Sequence, residues 1–250
     1  METIKLLFLG LLSILIINSI LRYVSFIFMY FLGLYVFKYI EVTGEENILH
    51  KIGVLIISNH CTFIDSFLIR LRLINLKELF FFQRRIPYDA PDKGNFYSTW
   101  ISSYFMYLLK NVPVKRGSLT KELLEKLIKS YCKILEKIGN LILFPEGGRT
   151  KKNKKIMDVF KTGVAKTILI MTKKNKNFEV LPVYLDNIRE MLPEENGQAY
   201  FKIKRKIKGK MIIGKPLSFC DICIREDISE DKKILLIKER GRNAILALKP

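Results

Sequence analysis

At 250 residues the chain can form one substantial domain with an appendage, and its length argues against two independent cores. Its 43 Lys and Arg against 24 Asp and Glu give a formal charge of +19 and a pI near 9.7. That balance points to an anionic partner, either nucleic acid or a membrane surface with anionic head groups, with compositional drift toward Lys, Ile and Asn as the plainer source.

Residues 6–40 are almost uninterrupted apolar sequence, with Asn18, Ser19 and Arg22 in the middle. A straight helix of that extent would be roughly 50 Å long against a hydrocarbon core of about 30 Å. The segment is therefore expected to bend or break, as a hairpin in one leaflet or as a span followed by an interfacial helix. A signal peptide over residues 1–21 is the competing reading, weakened because no A-x-A-like site follows and the apolar run resumes at Tyr23. Residues 1–44 are taken as the membrane anchor and 45–250 as the soluble domain, with 41–51 as a polar connector.

Beyond the connector, Val54-Leu55-Ile56-Ile57 reads as a buried strand, and a helix is expected from near Asp65 to Leu73. Residues 78–83, with Phe80-Phe81-Phe82, read as a second buried strand. Residues 84–96 read as a loop whose Arg84, Arg85 and Tyr88 face membrane or substrate. An aromatic amphipathic helix over 100–109 and a short strand at 112–114 follow. Residues 121–138 place Leu123, Leu124, Leu127, Ile128, Tyr131 and Leu135 at helical spacing, ended by Gly139-Asn140. Then come a strand at 141–144, a helix at 159–172, a strand at 178–185, a charged hairpin at 200–213 and a closing helix at 230–248. Alternation of strands and helices predicts an α/β fold with a mixed, mostly parallel sheet flanked by helices.

The chemistry concentrates after the first strand. In Ser58-Asn59-His60-Cys61-Thr62-Phe63-Ile64-Asp65 the chain turns between strand and helix, which brings His60 and Asp65 within reach of each other. A neutral imidazole can take a proton from a hydroxyl, while a carboxylate on its other nitrogen fixes the tautomer. A capping Asp beside a hydrogen-bonded His is the bland alternative. Three further islands matter: Lys115-Arg116-Gly117 and Phe144-Pro145-Glu146-Gly147-Gly148-Arg149-Thr150 each follow a strand, and Val180-Leu181-Pro182-Val183 sits within a third. Strand-end loops are where α/β domains build sites, and two arginines on them suit a phosphate or carboxylate. Glu146 either accepts from a substrate hydroxyl or serves as a capping or salt-bridging carboxylate. The four cysteines, Cys61, Cys132, Cys220 and Cys223, form no disulfide framework and fit a reducing cytosolic face. Cys220-Asp221-Ile222-Cys223 has no second pair or His cluster to complete a zinc site.

Together these islands resemble the glycerolipid acyltransferases that include 1-acylglycerol-3-phosphate acyltransferase. Asn59 to Asp65 is similar to their NHxxxxD block, Val112-Pro113-Val114-Lys115-Arg116 to their second block, Phe144 to Thr150 to FPEGTRS, and Val180 to Val183 to the fourth. Phe160-Lys161-Thr162-Gly163 resembles the F-K-x-G segment after the third. The chain departs from the family pattern in its second block, without the leading Gly and with Pro113, and in its third, with Gly148 and Thr150. The resemblance implies acyl transfer from an acyl thioester, acyl-CoA or acyl-carrier protein, to the free hydroxyl of 1-acylglycerol 3-phosphate, giving phosphatidic acid. His60 held by Asp65 would be the base, Arg116 and Arg149 would hold the acceptor phosphate, and Glu146 and Gly147 would shape the pocket. It implies no cofactor and no metal, a lysophospholipid acceptor, and membrane lipids as partners in place of nucleic acid. The alternatives are another lysophospholipid or glycerol 3-phosphate as acceptor, or a non-catalytic lipid-binding protein. Excess positive charge after the anchor predicts a catalytic domain facing the cytoplasm.

Overall fold

The computed structural model describes residues 2–115, 120–150, 155–195, 198–199 and 203–250. In chain order its helices are α1 (Glu2–Phe37), α2 (Asp65–Leu73), α3 (Leu76–Phe81), α4 (Lys93–Phe96), α5 (Trp100–Leu108), α6 (Lys121–Lys133), α7 (Thr162–Lys174), α8 (Ile188–Met191), α9 (Cys220–Cys223) and α10 (Glu230–Leu246). The strands are β1 (Ile40–Thr43), β2 (Leu55–Ser58), β3 (Leu141–Leu143), β4 (Val180–Asp186), β5 (Glu194–Glu195), β6 (Gln198–Ala199) and β7 (Gly209–Ile213).

Five strands form one sheet in the order β1-β7-β4-β2-β3, with β4–β7 antiparallel and the other three pairs parallel. The mixed, mostly parallel sheet is the one expected. Its central strands are buried on both faces, so alternate residues feed two different cores. Leu55, Ile57, Leu141, Leu143 and Tyr184 meet buried side chains of α6, α7, α9 and α10. Ile56, Ile142, Leu181, Val183 and Leu185 meet Val36 of α1, Leu68 and Ile69 of α2, and Ile188 and Met191 of α8. The ends of β2, β3 and β4 thereby reach one edge between these layers, and the candidate site lies there.

Several elements differ from expectation. The apolar segment does not break into two helices: α1 is continuous, and Asn18 and Ser19 stay within it by donating side-chain hydrogen bonds of 2.9 Å to the carbonyls of Ile14 and Leu15 one turn back. The connector is not wholly irregular, since β1 adds to the sheet edge by pairing with β7. Residues 78–83 are not a strand. Asn75 and Glu78 close a capping box, with Asn75 Oδ1 accepting from the Glu78 N–H at 2.8 Å, which starts α3 and leaves Phe81 77% exposed. Residues 112–114 form no strand: Val114 makes an isolated bridge with Asp92, and the preceding Asn111 one with Asp89. In the expected hairpin, residues 200–202 lie outside the described residues and β7 pairs with β1 and β4 instead.

Arg84, Arg85 and Tyr88 hold the 84–96 loop to the domain. Arg84 donates to the Ile138 carbonyl at 3.4 Å, Arg85 to Glu78 at 3.0 Å, and Lys110 Nζ lies 5.0 Å from the Tyr88 ring centroid. Lys110 is itself buried, with φ 57°, and donates to the carbonyls of Gln83 and Ile86. Burial, with Arg70 next, pushes its ammonium down to about 7. Between that value and the ordinary 10.5 the unfolded chain holds a proton that the folded chain has released, so stability rises with pH across this window. Lys110→Met should remove a slope of about 1.4 kcal/mol per pH unit. Thermal melts at pH 7 to 10 check this: the gap between wild type and variant grows in favour of wild type as pH rises, and a constant gap contradicts it.

Candidate active site

Asp65 opens α2 and is fully buried. Its Oδ2 accepts from His60 Nδ1 at 2.9 Å and from the backbone N–H groups of Cys61 at 2.5 Å and Thr62 at 2.8 Å. The Thr62 hydroxyl donates to Oδ1 at 2.5 Å. The carboxylate therefore organises the whole turn as well as the imidazole. The His60 ring stacks on Phe144, with centroids 4.1 Å apart and planes 15° from parallel. With Nδ1 committed to Asp65 and one face to Phe144, Nε2 is the nitrogen left for a ligand. His50 also meets a carboxylate, Glu78 at 2.8 Å, but its side chain is 57% exposed and Glu78 is shared with Arg85.

The residues around His60 bind one another closely. Glu146 accepts from the His60 N–H at 2.9 Å through Oε1, and from the Thr150 hydroxyl at 2.5 Å and the Met157 N–H at 3.2 Å through Oε2. It is a strut between two strand-end turns, and its oxygens are taken by the chain's own donors. Gly147 has φ 72°, and a Cβ there would come within 3.0 Å of the Lys161 side chain, so the turn needs glycine. Arg149 lines the same cavity as His60 and Phe144. Arg116 lies outside the described residues.

Two residues that sequence reasoning passed over complete this edge. The Asn59 amide clamps β4, donating to the Leu185 carbonyl and accepting from the Leu185 N–H, both at 2.8 Å. Arg189, in α8 just after β4, donates to the Cys61 carbonyl at 3.1 and 2.6 Å and to the Thr150 carbonyl. Their position at a strand end is readable; their partners, 126 residues away for Asn59 and 128 and 39 for Arg189, are not. Cys61 is buried, and burial with the charge of Asp65 pushes its thiol up, so it stays protonated.

His60 faces a cavity of about 770 Å³ walled by Met29 and Leu32 of α1, Phe67 of α2, and Phe105 and Met106 of α5. Arg70 lies at its border, buried, donating to the Leu109 carbonyl at 2.6 Å and to Asn111 at 3.1 Å. Burial pulls the Arg70 guanidinium down from its ordinary value, against the pull of Asp89. Among the described residues no cluster of three or more His, Cys, Asp or Glu side chains is placed to ligate a metal. The arrangement offers an oriented imidazole, an arginine and an apolar enclosure, which suits proton abstraction from a hydroxyl on an amphiphile.

The acyltransferase family model matches residues 39–186, more than half of the chain. The chain belongs to the acyltransferase family. Its fold is similar to that of 1-acyl-sn-glycerophosphate (LPA) acyltransferase, PlsC, from Thermotoga maritima, with a TM-score of 0.56 and 17% identity over 88% of this chain and 78% of that one. No curated protein sequence matches it. The match spans β1 through β4, so His60, Asp65, Glu146, Gly147 and Arg149 all fall within the acyltransferase region.

Glu146→Gln separates a strut from a substrate ligand. The glutamine would turn an NH₂ toward donors, at a cost of about 1–3 kcal/mol. A melting temperature several degrees lower is expected. An unchanged melt combined with weakened acceptor affinity would show instead that Glu146 binds substrate.

Proposed function

We propose that the chain transfers a fatty acyl group from an acyl thioester to the free hydroxyl of 1-acylglycerol 3-phosphate, giving phosphatidic acid. One observation carries this reading: His60, oriented by buried Asp65, faces an apolar cavity with Arg149 on its wall. His60 Nε2 takes the hydroxyl proton as the oxygen attacks the thioester carbonyl. The new C–O bond forms, the C–S bond breaks, and the imidazolium returns its proton to the departing thiolate. Asp65 stabilises the imidazolium while it lasts. Arg149, joined by Arg116, holds the acceptor phosphate, for which a guanidinium fork is suited. The thioester, acyl-CoA or acyl-carrier protein, enters as co-substrate, and no cofactor is required.

The membrane reading rests on α1, whose segment Gly10–Phe37 is long and apolar enough to cross a bilayer. The Lys- and Arg-rich sequence after it favours a domain on the cytoplasmic side. A nucleic-acid partner would account for the charge but leaves α1 and the His60 cavity without a role.

Thiol release from acyl-CoA by the detergent-purified protein, with and without lysophosphatidic acid, tests the reading. His60→Ala should lower acceptor-dependent release about 10²–10⁴-fold, the usual contribution of a general base. Undiminished release in that variant would refute the mechanism, and no release by wild type with any lysophospholipid, glycerol 3-phosphate or acyl-carrier-protein donor would refute the activity. Arg149→Lys tests the phosphate contact: acceptor KM should rise several-fold with kcat little changed, and an unchanged KM would remove Arg149 from the acceptor site.

A further inference from the structure

The nine residues of α5, WISSYFMYL, carry no charge, and the proposed reaction gives their outer face no part. Trp100 is 78% and Ile101 62% exposed, and Tyr104 and Tyr107 are exposed beside them. These side chains join the exposed surface of α1. The Tyr104 hydroxyl donates to Asn18 Oδ1, and the Arg22 guanidinium carbon lies 5.3 Å from the Tyr107 ring centroid. Since 104 meets 18 and 107 meets 22, α5 runs alongside α1 in the same direction. Trp100, one turn earlier, is carried about 6 Å toward the N-terminal half of α1.

In that half Leu11, Leu12, Ile14, Leu15, Ile16 and Ile17 are all exposed. At 100° per residue they cover the whole circumference of the helix, which a lipid environment surrounds and one face of a protein partner does not. The apolar surface continues past α5 through Phe28 and Phe31. Phe28 and Phe105 are exposed and also line the cavity that His60 faces, so the cavity opens within this surface.

We infer that α5 is a second membrane-inserting element: its Trp100–Ile101 turn enters the leaflet around α1, with Tyr104 and Tyr107 nearer the head groups. The occupant is the lipid leaflet itself, for which Trp and Tyr rings with polar tips are suited. The cavity mouth between α1 and α5 then meets acyl chains directly. This inference rests on α1 entering a bilayer but not on the acyl-transfer chemistry.

Trp100 is the only tryptophan in the chain, so fluorescence reports on this turn alone. Full-length protein reconstituted into phosphatidylcholine–phosphatidylglycerol vesicles, without substrate, should show blue-shifted emission that acyl-brominated lipids quench and acrylamide does not. Ile101→Glu should abolish the bromolipid quenching while the protein still cosediments through α1. Cosedimentation of wild type with Trp100 open to acrylamide and untouched by bromolipid would overturn the inference and leave α1 as sole anchor. Shielding from both quenchers with a doubled particle mass would overturn it in favour of a second copy of the chain. Failure to cosediment would overturn it together with the membrane reading of α1, whatever the thiol-release assay gives.

Discussion

The buried carboxylate of Asp65 is the constraint on which the site depends. Removing such a group from water is costly unless its oxygens are satisfied, and here four donors from three consecutive residues converge on it. Those donors fix the chain between β2 and α2, so the imidazole takes its orientation from the same carboxylate that holds the turn. Asp65 also occupies the first turn of α2, where the helix's free N–H groups favour negative charge. Structure and proposed chemistry therefore share one interaction, and the residue that would stabilise an imidazolium also builds the turn that carries it.

A second set of bonds transmits this order across the sheet edge. Asn59 locks the end of β2 to β4, Glu146 ties the turn after β3 to the His60 amide, and Arg189 returns from α8 to carbonyls on both turns. Glu146 and Arg189 are opposite charges that each bridge the same two loops, one accepting N–H and O–H groups, the other donating to C=O groups. Three chain segments remote in sequence are thereby held as a unit. An imidazole held this way would need little reorganisation in the proposed role of base.

What the sequence shows depends on how local each cause is. The apolar runs of β2, β3 and β4 and the Lys–Leu periodicity of α6 specify themselves. The His60–Asp65 pair was legible because both members lie in one turn, five residues apart. Residues 78–83 read as a strand because three consecutive phenylalanines outweigh a capping box that is equally local. The continuity of α1 is not legible because Asn18 and Ser19 read as breaks, whereas their side chains bond back within the helix. β1, four residues with one face partly exposed, is made a strand by β7, more than 160 residues later. The roles of Asn59 and Arg189 likewise reside in partners 126 and 128 residues away, and residue type and spacing alone do not carry that information.

In the proposed function, the placement of the cavity joins the His60 edge to the membrane. His60 is nearly sealed, its side chain 9% exposed, which limits attack by water on an acyl thioester. Access for two amphiphiles must therefore come from the apolar side, and that side is walled by α1 and α5, the elements that leave aromatic and aliphatic side chains uncovered. An acyl chain passing between them exchanges one apolar surrounding for another. The alternative path through water costs about 0.8 kcal/mol for each CH₂ exposed, which for a fatty chain far exceeds what one polar contact returns. In the proposed reaction the polar groups, phosphate and reacting hydroxyl, would stay at the other end, beside Arg149 and the oriented imidazole. α1 is thus one wall of the cavity, packed against the domain through Phe26, Gly33 and Val36, and in the proposed membrane reading it would be the tether as well.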